Sequence, residues 1–268
     1  MIITINNTIK NIFFVGDIHG SWNLITYQIR QYNIRNSVFI FCGDIGIGFE
    51  KLEHYTNNVI PELHKILKKH NNIFIWIAGN HDDPKYFENQ IINTDYVKCV
   101  PNYTIVNVCD KNILCISGGI SIDRSYRKQN DSVKIVNYMK WHNCDFNIAD
   151  KNCIKSYWPD EYVKYRPKVE EHIDIICTHS APSFCFPTDK GDIVTDFAAY
   201  DMELIKDIND ERNTLDNIYE DYKDEITHWY YGHFHRSKTE IINTIQFKLL
   251  SIGEICKHYV STDNNNIL

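Results

Sequence analysis

Apolar and polar positions in the first part of the chain fall into a repeating unit. Residues 12–15 form a short apolar run, followed by a polar turn and then apolar residues at helical spacing, Trp22, Leu24, Ile25 and Ile29. Residues 38–42 and 73–78 repeat the apolar run, and the stretch 52–70 between them reads as a helix that Pro61 must interrupt or restart. Strands alternating with helices predict a largely parallel sheet, with ligands gathering outside the carboxyl ends of its strands. On this alternation alone the expected fold is a simple doubly wound sheet.

Beyond Asn102 the pattern changes. Two β-like runs, 103–108 and 113–117, flank the turn-prone Cys109-Asp110-Lys111-Asn112 and predict a hairpin. Gly118-Gly119 then opens a polar and aromatic segment, 118–158, which reads as an irregular, substrate-side insertion, because long loops in compact domains are usually functional. Pro159 is placed to start a helix reaching Glu171; 173–177 is a buried strand, 200–225 an acidic helix, and 228–231 a short strand. Runs 239–242, 245–250 and 255–260 predict antiparallel strands, and 261–268 a polar tail.

Composition narrows the class. With 268 residues, 43% of them hydrophobic, the chain has material for a sizeable core, and we take 1–268 as one domain. No apolar run approaches the roughly 18 residues of a membrane-spanning helix, and the first residues lack the regions of a signal peptide. A net charge of −7 argues against stable binding to nucleic acid. Nine scattered cysteines without a C-x-x-C pair read as reduced thiols of a cytoplasmic protein.

Candidate chemistry sits where the pattern places strand ends. Asp17-Ile18-His19 follows the first strand, Gly43-Asp44 the second and Gly79-Asn80-His81-Asp82 the third; Thr178-His179 and Gly232-His233-Phe234-His235 follow two later strands. In an extended D-x-H or H-x-H, both outer side chains project to one side. Mixed oxygen and imidazole donors suit manganese, iron, zinc or nickel better than magnesium or calcium. His54, His64, His70, His142, His172, His228 and His258 have no such placement and read as ordinary surface or core residues.

The ordered blocks GDIHG, GD, GNHD, TH and GHFH resemble the signature of calcineurin-like metallophosphoesterases, from Asp17 to His235. The resemblance implies an α/β fold of four-layer type, with a two-sheet β-sandwich core flanked by helices and a dinuclear metal site at the strand ends. It further implies one divalent ion on Asp17, His19 and His235, a second on Asn80, His179 and His233, and Asp44 bridging them. His81 would contact the phosphate and the leaving oxygen. Two cations roughly 3.5–4 Å apart lower the pKa of a shared water, so that a hydroxide attacks phosphorus in line. Manganese is the favoured metal.

Departures from the family pattern bear on the substrate. Where protein serine/threonine phosphatases have GDxVDRG, this chain has Ile47 and Gly48 at the acidic and arginine positions, which argues against protein phosphatase activity. The tyrosine that binds ferric iron in purple acid phosphatases is absent from the same block. The stretch from Gly118 to Arg127, followed by Tyr157-Trp158-Pro159-Asp160-Glu161, resembles segments of small bacterial and phage-type metallophosphoesterases. There Arg124 or Arg127 is expected to clamp the phosphate bidentately beside Asn80 and His81; the alternative is surface arginines paired with Asp123 or Glu161. Hydrolysis of a phosphate ester is therefore the expected function. The alternatives are a nuclease or cyclic-nucleotide phosphodiesterase on the same site, or a non-catalytic metal-binding scaffold.

Overall fold

Each central strand is apolar on both faces, and its alternating side chains enter two different layers of the molecule. The structure, a computed structural model, describes residues 1–159, 162–185 and 191–259. In chain order the elements are β1 (Ile2–Thr4), β2 (Asn11–Val15), α1 (Trp22–Gln31), β3 (Ser37–Phe41), α2 (Leu52–His54), α3 (Ile60–His70) and β4 (Asn72–Trp76). Then come α4 (Pro84–Glu88), β5 (Val97–Cys99), β6 (Thr104–Val108), β7 (Lys111–Ile116), α5 (Arg124–His142), α6 (Phe146–Asn152) and β8 (Ile175–Thr178). The last are α7 (Gly191–Ala198), α8 (Leu204–Tyr222), β9 (His228–Tyr231), β10 (Lys238–Ile242), β11 (Ile245–Leu249) and β12 (Ile255–His258). A π-helical turn, Tyr55–Val59, joins α2 to α3 just before Pro61, so the helix accommodates the proline without ending.

Two sheets form. One has the order β12-β2-β3-β4-β5, parallel except for β12; the other has the order β1-β6-β7-β8-β9-β11-β10 and is mixed. Ile12, Phe14, Val38, Ile40, Ile73 and Ile75 face Val106, Ile113, Cys115, Ile175, Cys177 and Tyr230 across the sandwich. Phe14 stacks on Tyr230 with ring centroids 3.7 Å apart, linking the sheets. The alternate residues Phe39, Phe41, Phe74 and Trp76 pack outward under Ile25, Ile29, Leu63 and Leu67 of α1 and α3. On the far side Leu114, Ile176, Trp229 and Phe247 are covered by Leu215, Ile218 and Tyr222 of α8.

This four-layer arrangement agrees with the family resemblance and corrects the doubly wound sheet that alternation alone predicts. After β5 the chain enters the hairpin β6–β7, whose two-residue turn Cys109-Asp110 has both φ values positive, at 51° and 56°. That hairpin starts the second sheet, and every later strand except β12 joins it.

The expected irregular insertion is instead largely helical, as α5 and α6. Its helices are hard to read because α5 buries Arg127 and Asp131 beside Ile135 rather than an apolar stripe. Asp131 accepts the Ser156 and Tyr157 N–H groups at 2.7 and 3.0 Å, a polar anchor without hydrophobic periodicity. The helix expected over 159–171 is absent among the described residues. Side chains take up its backbone donors: Glu211 accepts Val163 N–H, Tyr103 Oη accepts Arg166 N–H and Tyr222 Oη accepts Val169 N–H. Asp160, Glu161 and the expected polar tail lie outside the described residues. No helix of the described residues is long and apolar enough to cross a membrane.

Candidate metal centre

Five strands from both sheets end at one seam. Asp17 and His19 follow β2, Asp44 follows β3 and Asn80 follows β4, while His179 follows β8, and His233 and His235 follow β9. Each parallel strand delivers its donor at its carboxyl end, as open α/β sheets do. The structure thus brings all seven expected donors together, along with His81.

Two groups of donors flank Asp44. In the first, atoms of Asp17, His19, Asp44 and His235 lie within 4.8 Å of one another. His19 Nε2 is 3.0 Å from His235 Nε2 and 3.8 Å from Asp44 Oδ2, and His235 Nε2 is 3.1 Å from Asp17 Oδ2. In the second, Asn80 Oδ1 is 2.9 Å from His179 Nε2 and 2.8 Å from His233 Nδ1, and those two nitrogens are 3.2 Å apart. Asp44 Oδ1 is 3.3 Å from His179 Nε2. One carboxylate therefore turns one oxygen to each group.

The donor chemistry of the second group fits a cation. The Asn80 amide donates Nδ2–H to Ser121 Oγ at 2.8 Å, which leaves its Oδ1 an acceptor facing the imidazoles. His179 Nδ1–H donates to the Cys42 carbonyl at 2.6 Å, which directs the Nε2 lone pair into the same space. Acceptors aimed at each other at such distances repel unless a proton or a metal ion lies between them. Burial opposes charge on His179, but Asp44 and Asp17 outweigh it and raise its pKa, so the space at its Nε2 favours positive charge. Burial likewise opposes the Asp44 carboxylate, yet His179, His81 and His19 hold its pKa well below the usual range. Negative charge is retained in a fully buried group, and the donor chemistry around it fits divalent metal.

Local backbone geometry is costly here. His19, Asp44, His233 and His235 all have positive φ, between 44° and 68°, a region that disfavours side chains by about 1–2 kcal/mol each. Glycines make the room. A Cβ on Gly79 would lie 2.2 Å from Asp44 Oδ1, and one on Gly232 would lie 2.1 Å from Asp17 Oδ1. The glycines before these blocks thus admit the carboxylate of a different block, besides easing a turn.

Asp82, a buried carboxylate beside the donors, is a residue that sequence reasoning left without a role. Fully buried, it accepts N–H groups from Ile45, Gly46, Ile47 and Gly79 at 2.7–3.0 Å. Burial and the nearby Asp44 carboxylate raise its pKa, against the pull of these donors. It ties the Asp44 loop to the Asn80 loop, and the available signal was a carboxylate closing GNHD. The Ile47 N–H and its neighbours serve this clasp, and a Cβ on Gly48 would lie 2.5 Å from the Asp83 Cβ. No arginine fits there.

His81 reaches the centre from the same loop. Its N–H donates to Asp44 Oδ1 at 2.8 Å and its ring centroid is 5.3 Å from that of His19. The expected arginine clamp is differently placed. Arg124 spans both oxygens of Asp201 at 2.6 and 3.1 Å and pairs with Asp207 at 2.7 Å, so two carboxylates already fill its fork. Arg127 is buried, pairs with Asp123 at 3.0 Å and donates to the Ser156 and Asn80 carbonyls. It braces the back of the Asn80 loop.

Asp82→Asn should cost about 2–4 kcal/mol in urea unfolding, because an amide turns N–H groups towards backbone N–H donors that now meet oxygen. It should also weaken cation retention, since the clasp aligns Asp44 with Asn80. Unchanged stability and unchanged metal content would contradict this role.

No curated protein sequence matches the chain. Among similar solved structures, a putative 5′-nucleotidase from Staphylococcus aureus in complex with alpha-ketoglutarate is 13% identical, with a TM-score of 0.42 and coverage of 92% of this chain and 50% of that one. A phosphopantetheinyl hydrolase from Mycobacterium tuberculosis is 14% identical, with a TM-score of 0.41 and coverage of 91% and 89%. A protein serine/threonine phosphatase from Saccharomyces cerevisiae is 14% identical, with a TM-score of 0.35 and coverage of 94% and 70%. This chain spans about half the length of the nucleotidase. The family model of calcineurin-like phosphoesterases matches residues 10–237, a span that holds every donor from Asp17 to His235. The chain belongs to the calcineurin-like phosphoesterase family.

Proposed function

We propose that the chain hydrolyses a phosphate ester, monoester or diester, with two divalent cations held by the seven donors. The observation that carries this reading is the arrangement around Asp44, with Asp17, His19 and His235 on one side and Asn80, His179 and His233 on the other. Cations bound there would neutralise non-bridging phosphate oxygens and lower the pKa of a water towards neutrality. Manganese is favoured among manganese, iron, zinc and nickel. The Asn80 amide, held by Ser121, and the His81 ring border the space where the phosphate would sit.

His81 is the candidate proton donor. Burial lowers its pKa below the ordinary imidazole value, although Asp44 pulls the other way. An incoming phosphate adds negative charge beside it and favours the protonated ring. The protonated ring would then give its proton to the departing oxygen. Arg124 and Arg127 act as positioning residues for α5 and the Asn80 loop, leaving the anion to the cations, Asn80 and His81. Nine free thiols fit a reducing compartment, which we take to be the cytoplasm.

Loss of the bridge is the most direct test of the metal arrangement. Asp44→Asn, assayed at saturating manganese, should reduce turnover more than substitution of any other single donor, and a chelator should do the same to the wild type. Near-normal activity of Asp44→Asn would remove Asp44 as the bridge. His81→Ala should keep its metal content and lose turnover by a factor on the order of 10²–10⁴. That loss should be smaller for a nitrophenyl ester, whose leaving group needs little protonation, than for an alkyl ester. Equal losses on the two would take away the acid role, and loss of metal would make His81 a ligand.

A further inference from the structure

Beside the donors opens a cavity of about 400 Å³, bordered at the metal end by Asp44, Asn80, His81, His233 and His235. The rest of its wall is largely apolar: Ile120, Ile122, Val194, Phe197, Ile208 and Phe234. Most of these side chains pack on one another, where α7 and the start of α8 meet the segment after Gly119. Phe234 lies against the His233 ring, with centroids 4.8 Å apart, so the apolar wall begins at the metal donors themselves.

Polar groups are the minority of this wall, and several of them already bond within the protein. Glu211, fully buried, accepts Val163 N–H and is also held by Ser180 and Ile120. Asp123 is paired with Arg127, and Arg212 and Arg236 hold contacts of their own. A sugar or peptide placed against the apolar part of this wall would lose its hydration with few partners to replace it, a penalty on binding. An apolar group would gain roughly fourfold in binding for each methylene removed from water.

Resting on the phosphoesterase reading, we infer that the organic part of the ester is an apolar group, branched aliphatic, cyclic or aryl, seated between α7 and the segment around Ile120 and Ile122. Phosphate occupies the metal end and the alcohol portion lies along the apolar wall. Sugar phosphates, nucleotides and phosphopeptides are disfavoured by the same wall.

The test compares esters whose primary alkoxide leaving groups have similar intrinsic reactivity, so that preference reports the pocket. Manganese-loaded protein is given n-hexyl phosphate, cyclohexylmethyl phosphate, glucose 6-phosphate, glycerol 1-phosphate and 5′-adenylate. Calorimetry compares the non-hydrolysable n-hexylphosphonate with methylphosphonate. We expect kcat/KM for the two apolar esters to exceed that for the polar ones by a factor on the order of 10², and hexylphosphonate to bind more tightly by a similar factor. Binding of hexylphosphonate should carry a negative heat-capacity change. Ile193→Asp, on the exposed side of α7 and lining the same cavity, and Ile122→Asn should each shrink that preference by about tenfold. Turnover of all five esters at similar rates, or preference for glucose 6-phosphate or the nucleotide, overturns the inference while leaving the phosphoesterase reading intact. No turnover of any of these monoesters, with hexylphosphonate still bound more tightly than methylphosphonate, contradicts the monoester form of the phosphoesterase reading and supports the apolar pocket. No turnover and no difference between the phosphonates overturns the apolar pocket and the monoester form of the reading together.

Discussion

A buried carboxylate ringed by imidazole nitrogens and an amide oxygen requires positive charge in its midst, and the rest of this molecule is arranged around that requirement. Asp44 is fully buried, yet its neighbours hold it in the charged form. Asn80 and His179 are each turned by a second hydrogen bond, to Ser121 and to the Cys42 carbonyl, so that their acceptor atoms point at the same space. Such orientation by outer partners is what fixes metal donors in place before an ion arrives.

The sandwich explains how donors so distant in sequence meet. Asp44 and Asn80 come from the five-stranded sheet, His179 and His233 from the seven-stranded one, and their alignment depends on how the two sheets stack. The Phe14–Tyr230 stack and the aliphatic layer between the sheets set that stacking. The backbone at the seam bears the cost: four of the seven donors have left-handed φ, and Gly79 and Gly232 stand where any side chain would meet a carboxylate. Strain of this kind persists where surrounding packing over-determines it.

Much of the centre was legible in the chain because its signals are local. A strand that ends in D-x-H or H-x-H advertises both its direction and its chemistry, and the boundaries of β9 match the expected run of four residues. The second sheet was not legible from alternation, since β6 and β7 look the same whether they extend the first sheet or start another. Helix α5 escaped because its buried face carries Arg127 and Asp131. The arginines illustrate a further limit: Arg124 has the chemistry of a phosphate clamp, but Asp201, far along the chain, already fills its fork. Asp82 was visible as a residue and invisible as a clasp, because its four partners are backbone N–H groups that no sequence pattern marks.

The claim on which the account rests is that two cations share Asp44. Elemental analysis of protein reconstituted with manganese and freed of excess ion measures it directly, with His179→Ala as the companion variant. The account predicts close to two ions per wild-type chain and close to one in His179→Ala, because that change dismantles the Asn80–His179–His233 group and leaves the Asp17–His19–His235 group standing. A wild-type content that never exceeds one, together with no change in His179→Ala, would contradict it.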